Sequence, residues 1–129
     1  MIKEDYLLRQ LEQAWEALLR AAVATKELEV EQAEQALGQV YKALLKVPRT
    51  LFVSLTAASL VPMLGSPEIV RSLARASFLE GEIAAQRGKK RHALSCYQRA
   101  LELFDAVGDG DVAEDIEAAA AVRTKFAKR

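Results

Sequence analysis

His92 is the only histidine in the chain and Cys96 the only cysteine. Both are residue types that catalysis draws on, imidazole as a general base and thiolate as a nucleophile. A general base needs a carboxylate to orient it. The sequence neighbours of His92 are Lys89, Lys90 and Arg91, with no acid beside it, so a solvated residue at a helix start is expected. A catalytic cysteine needs a setting that lowers its pKa and a basic partner. Cys96 stands between Ser95 and Tyr97 in the middle of an amphipathic segment, which predicts a small buried hydrophobe. One thiol builds neither a disulfide framework nor a cysteine-based zinc centre, and it suits the reducing cytosol.

Two charged clusters raise other chemistry. Glu27, Glu29, Glu31 and Glu34 invite a metal reading, but helical carboxylate centres use paired Glu-x-x-His motifs, which a single histidine cannot supply. A solvated turn and helix start is expected instead. Arg87-Gly88-Lys89-Lys90-Arg91 is the dense basic run and offers a contact for phosphate or an acidic protein. It has no aromatic neighbours on which bases would stack. The chain carries 18 Lys+Arg against 18 Asp+Glu, so it lacks the net basic character that phosphate binding draws on. Nucleic acid is therefore not the expected partner. No Walker loop, GxGxxG, nucleophile elbow or HExxH is present. No catalytic, cofactor-binding or metal-ligating residue is expected, and the protein reads as a non-enzyme.

These residues must be held by helices. The chain has 129 residues, 51% hydrophobic and 28% charged, which fits one globular domain with a core of its own. In the first segment Tyr6, Leu7, Leu8, Leu11, Trp15, Leu18, Leu19 and Ala22 recur at threes and fours, predicting a helix from about Glu4 to Thr25. A turn is expected over Lys26–Glu31. A second helix then buries Ala33, Ala36, Leu37, Val40, Ala43, Leu44 and Val47 and ends at Pro48. Within Arg49–Leu64, Thr56 or Ser54 would cap a short helix ending near Leu64, with Gly65 as its C-cap. Ser66-Pro67-Glu68 is a helix start, opening a helix over Pro67–Arg87 that Gly88 stops. Lys90–Val107 follows and is stopped by Gly108. Asp111 with Glu114 makes a capping-box pattern for a last helix whose face is Ile116, Ala119, Ala120 and Phe126.

The uncharged stretch Thr50–Pro67 holds Ser54, Thr56, Ser59, Pro62 and Pro67 and falls short of the roughly 20 mostly apolar residues of a membrane span. It reads as core. The charged start Met-Ile-Lys-Glu-Asp-Tyr lacks the features of a signal peptide. A cytoplasmic protein is expected.

An internal repeat is visible. Ala36-Leu37-x-x-Val40-x-x-Ala43-Leu44 returns as Ala93-Leu94-x-x-Tyr97-x-x-Ala100-Leu101. From Ala74 to about Phe104 the second copy resembles a tetratricopeptide repeat, with Gly81, Gly88, Ala93, Tyr97 and Ala100 at the family's spacing. It departs from the family at Glu80, where a large apolar residue is usual, at Phe78, which is offset from Ser77, and in lacking the closing proline. The resemblance implies an all-α fold of antiparallel helix pairs, five to six helices in one right-handed α-solenoid-like domain. Its parts would be a degenerate pair (1–47), an insertion (48–66), a clear pair (67–107) and a terminal helix (111–127). It also implies a protein-binding groove lined by Arg75, Phe78, Glu82, Ala85 and Gln86. Phe78 and Glu82 do not fit a clamp for peptide carboxylates and would suit an apolar or basic peptide; the competing reading is that Phe78 is core. The opening Asp5-Tyr6-Leu7-Leu8-Arg9-Gln10-Leu11-Glu12 is similar to that of a group of small bacterial proteins without an established activity.

The expected function is a protein–protein interaction module or scaffold. Leu7, Leu11, Trp15 and Leu18 form a stripe that a second copy would cover in a homodimer. Two rivals stay open. One is a small-molecule binder or enzyme with a pocket between the short helix ending near Leu64 and the Pro67–Arg87 helix. The other is an RNA- or phosphate-binding module using the 87–91 turn.

Overall fold

The computed structural model describes residues 27–44 and 54–127, together with Arg9, Glu12, Gln13 and Glu16. Those four are helical and exposed, as the polar side of the first predicted helix requires. The proposed dimer stripe of Leu7, Leu11, Trp15 and Leu18 lies outside the described residues, as do Val47 and Pro48. The described residues form five α-helices and no strand: α1 Glu27–Leu44, α2 Ala57–Leu64, α3 Pro67–Gln86, α4 Lys90–Val107 and α5 Ala113–Ala127. None of these helices is long and apolar enough to cross a membrane.

Glu27–Glu31, within the stretch expected to be a turn, belong to α1. The Lys26–Glu31 segment contains no glycine or proline, and its glutamates are good helix formers. Val30 is buried with Ala33, Leu37, Val40 and Tyr41, so the apolar stripe starts one turn earlier than the polar composition suggests. α2 has the expected ends. The Thr56 side chain accepts from the Ser59 backbone N–H, and Gly65 closes the helix at φ 79°. Pro62 lies within it, near the last turn of a helix short enough to tolerate one missing donor.

α3 starts at Pro67, but Ser66 does not cap it through its side chain. Its hydroxyl donates instead to the Glu68 carboxylate at 2.8 Å. At the other end the Gly88 N–H donates to the Ala85 carbonyl and the Lys89 N–H to the Ala84 carbonyl, at 3.1 and 2.9 Å. This is the paired pattern of a Schellman turn, and Gly88 supplies its left-handed residue at φ 75°. The turn sends α4 back along α3, and these two helices make the most extensive contact in the fold. α1 lies on α3, α2 mainly on α4, and α5 on both α3 and α4.

α3 is the centre of the core. Every residue from Ser72 to Leu79 is buried. Burying all faces of a helix is feasible because Ser72, Ala74, Ala76 and Ser77 are small and let its neighbours approach closely. Of the three polar side chains buried there, Ser72, Arg75 and Ser77, the last two have identified polar neighbours. Ser77 and Tyr41 share a hydrogen bond between hydroxyls at 3.3 Å. Arg75 is in the same charge cluster as Asp115 and Glu114: burial pulls its pKa down, and these acids oppose that. Burial pushes the Asp115 carboxyl up, against the pull of Arg75 and Arg71.

α5 keeps half of its expected face: Ala119 is buried and Phe126 packs on the core, whereas Ile116 and Ala120 are exposed. It begins at Ala113, where the Val112 carbonyl accepts from the Asp115 and Ile116 N–H groups, so the box read from Asp111 to Glu114 is out of register. The buried stripe is Asp115, Ala118, Ala119 and Val122, whereas Ile116 is 44% exposed. The buried face places Asp115 in the Arg75 charge cluster.

A two-pronged ion pair closes this end of the molecule. Arg123 Nη1 and Nη2 donate to the two Asp109 carboxylate oxygens at 2.7 and 2.8 Å, and Nη2 reaches Asp105 at 3.3 Å. The hydrogen bond from Arg123 holds the Asp109 pKa below its usual value. A depressed carboxylate pKa stabilises the fold above the unfolded-state pKa, and that stability is lost as the pH falls through the folded-state value. Both side chains are partly exposed, which limits the contribution to under about 1 kcal/mol. Asp109→Asn is expected to lower the melting temperature slightly at neutral pH, with the difference from the parent protein shrinking toward acid. Equal melting temperatures at neutral pH would remove the pair as a stabilising contact.

Candidate functional site

The face of α3 expected to bind a peptide is not an open surface. Arg75 and Phe78 are 3% and 4% exposed. Phe78 packs on Tyr97 with ring centroids 5.9 Å apart, so its reading as core is the one the structure supports. Glu82 serves contacts between helices. It accepts from the Tyr97 hydroxyl at 2.6 Å and lies 3.2 Å from Lys125 Nζ, and Lys125 also sits over the Tyr97 ring at 5.2 Å. This knot ties α3, α4 and α5 together. Burial, reinforced by the Glu82 carboxylate, holds the Tyr97 phenol well above its usual pKa. Of the predicted face, Ala85 and Gln86 are exposed.

The repeat residues meet as their types suggest. A Cβ placed on Gly81 would lie 2.6 Å from Tyr97 Cε1 and 3.2 Å from the Ala93 carbonyl oxygen. Ala93, Tyr97 and Ala100 are buried against this seam.

On the far side of α3 Ser77, Glu80, Ala84 and Arg87 recur at threes and fours; Ser77 and Ala84 are buried, Glu80 is partly buried and Arg87 is exposed. Two depressions lie there. One, about 270 Å³, is lined by α1 residues Glu34, Leu37 and Gly38 and by Glu80, Ile83, Ala84, Arg87, Lys89 and His92. The other, about 530 Å³, is lined by Tyr41, Ser77, Glu80, His92, Ser95, Cys96, Gln98, Arg99 and Glu102. Both are lined in part by Glu80 and His92, so the two depressions adjoin there, and together they are called the trough between α1 and the α3–α4 pair. Arg87 of the basic run is engaged at its edge, with Nε 2.6 Å from Glu34.

His92 does have a carboxylate partner, contrary to the expectation from its sequence neighbours. Its Nε2 lies 2.9 Å from Glu80 Oε2. Glu80 is twelve residues earlier in the chain and arrives across the Gly88 turn. Cys96 is buried as expected, at 8% exposure, but its Sγ lies 3.8 Å from the same His92 Nε2. A single donor atom from each of Glu80, His92 and Cys96 falls within 4.8 Å of the others. The arrangement is not that of a nucleophile relay, in which the thiol and the acid engage opposite nitrogens of the ring. It does place oxygen, nitrogen and sulfur donors around one point. One sequence signal was available: His92 and Cys96 are spaced i, i+4, which puts both on one helix face.

In comparisons with known proteins, no family model matches the chain, no curated protein matches it and no solved structure matches it. The resemblance to tetratricopeptide repeats therefore rests on the residues between Ala74 and Phe104 alone.

Proposed function

We propose that this protein is a cytosolic scaffold built on a tetratricopeptide-like helix pair, and that it binds an extended, charged polypeptide segment of a partner protein in the trough between α1 and α3–α4. The observation that carries the reading is the shape and chemistry of that trough. Its two depressions adjoin at Glu80 and His92, and a segment that lies across both has to be extended. It presents charged groups of both signs, Glu80 and Glu102 beside Lys89 and Arg99. Sites for compact small molecules are enclosed and mostly apolar, whereas a trough of alternating charge suits backbone and side-chain hydrogen bonds from a segment lying along it. The RNA alternative is weakened by Arg87, whose charge is matched by Glu34.

The test places a photo-crosslinking residue at Gln98, exposed in the trough, and at Glu117, exposed on α5. A polypeptide captured at Gln98 and not at Glu117, then purified, is expected to bind the parent protein directly. Ser95→Trp, which fills the trough from an exposed position, should weaken that binding about tenfold, near 1.4 kcal/mol. Equal capture at both positions, or unchanged affinity in the Ser95 variant, removes the trough as the binding site. Light scattering of the same protein over a dilution series tests the accompanying proposal of a homodimer through Leu7, Leu11, Trp15 and Leu18; a monomer at all concentrations rules it out.

A further inference from the structure

We infer that Glu80, His92 and Cys96 form a binding site for a zinc-class divalent cation, with an open coordination position facing the trough. The inference stands apart from the identity of any bound polypeptide, because its ligands and its test involve this chain alone.

The geometry comes first. Tetrahedral zinc, with bonds of about 2.0–2.3 Å, holds its donor atoms roughly 3.3–3.8 Å apart. Here the Glu80–His92 pair stands at 2.9 Å and the Cys96–His92 pair at 3.8 Å, and all three donors lie within 4.8 Å of one another. Small side-chain rotations bring this set to the required spacing. The His92 side chain, 54% exposed, has room to turn.

The placement of the donors is also that of a built site. His92 and Cys96 are one turn apart on α4, so their side chains leave the helix in parallel. Glu80 comes from the facing stretch of α3, brought opposite by the Gly88 turn. The exposure rises from Cys96, buried at the floor, through Glu80 at 17% to His92 at the rim. A cation seated among them would have protein on three sides and the trough on the fourth. This is the three-ligand pattern with one open position that zinc adopts when it is not fully enclosed.

The donor types select the ion. A thiolate and an imidazole are poor ligands for magnesium and calcium, which take oxygen donors. Mixed sulfur, nitrogen and oxygen donors suit zinc and its substitute cobalt(II). On binding, the Cys96 thiol gives up its proton to solvent. The thiolate and the Glu80 carboxylate then balance the two positive charges, while the imidazole binds neutral. Because the ligands come from two helices, the ion would also staple α3 to α4.

The experiment is a cobalt(II) titration of the purified, metal-stripped, full-length protein, followed by zinc displacement. One equivalent of cobalt is expected to produce a thiolate-to-cobalt charge-transfer band together with the intense visible bands of tetrahedral cobalt, and zinc should abolish both. Cys96→Ser should lose the charge-transfer band. His92→Gln and Glu80→Gln, at partly exposed positions where far-ultraviolet dichroism can confirm folding, should each weaken binding about tenfold or more, since each removes a ligand. Zinc should raise the melting temperature of the parent protein and leave that of the Cys96 variant unchanged. The absence of a charge-transfer band at stoichiometric cobalt overturns the site. So does a band that survives at full affinity in the folded His92 and Glu80 variants; the cluster is then an ion pair beside a buried thiol.

Discussion

Gly81→Val is expected to destabilise the protein by about 2–3 kcal/mol, the upper part of the usual range for forcing extra atoms into a packed seam. The cause is local and geometric. α3 and α4 cross at Gly81, where even a Cβ would stand 2.6 and 2.8 Å from the Tyr97 ring and 3.2 Å from the Ala93 carbonyl oxygen. The ring has little freedom to withdraw. Its hydroxyl is held by Glu82 at 2.6 Å, Phe78 packs on it, and Lys125 lies over it. Gly81→Ala should cost less, because alanine recovers about 1 kcal/mol of helix propensity against the same contact. The prediction is checked by urea unfolding of Gly81→Val, Tyr97→Ala and the double variant. Removing the ring removes most of what the new side chain meets, so the double variant should be more stable than the sum of single effects by about 1 kcal/mol or more. Strict additivity, or a valine variant as stable as the parent, would show that the seam is not the constraint.

Phe104→Ala should be the most damaging single truncation, with an expected loss of about 3–5 kcal/mol. Phe104 and its neighbour Leu103 are both 0% exposed. Successive helix positions point about 100° apart, so full burial of both means that the end of α4 is covered from two directions. The helices in contact with α4 are α3, α2 and α5. Truncation would leave a cavity that three helices cannot all move to fill, and unfilled volume is what makes such substitutions expensive. Ile116→Ala is the matched control: a large apolar residue, but 44% exposed, and expected to change stability by less than about 0.5 kcal/mol. Thermal or urea unfolding of the two variants checks the contrast. A Phe104 variant within about 1 kcal/mol of the parent would mean that this end of the core collapses easily around the gap.

Local signals decided most of the helix boundaries. Proline at the first position of α3, the left-handed glycines Gly65 and Gly88, and the unbroken three-four periodicity of Lys90–Val107 act within a few residues, so they are legible without the fold. The turn expected over Lys26–Glu31 and the Ile116 and Ala120 part of the α5 face were misread for a related reason. The glutamates near Val30 make the segment look like a turn, and alanines give a weak apolar stripe, so in both places the neighbouring helices decide which side is buried.

The sequence by itself determined an all-helical chain, the positions of its caps and turns, and the small residues at Gly81 and Ala93 that let α3 and α4 close on each other. Tertiary structure alone decided which side of α3 carries the depressions and what met there. The face holding Arg75 and Phe78 is covered, because packing of a central helix depends on how many partners surround it and not on its own periodicity. Glu80 reaches His92 because the Schellman turn at Gly88 folds two helices antiparallel, and proximity across that turn is set by the crossing of the helices. A carboxylate, an imidazole and a thiol that are unremarkable along the chain become one cluster only when that crossing is made.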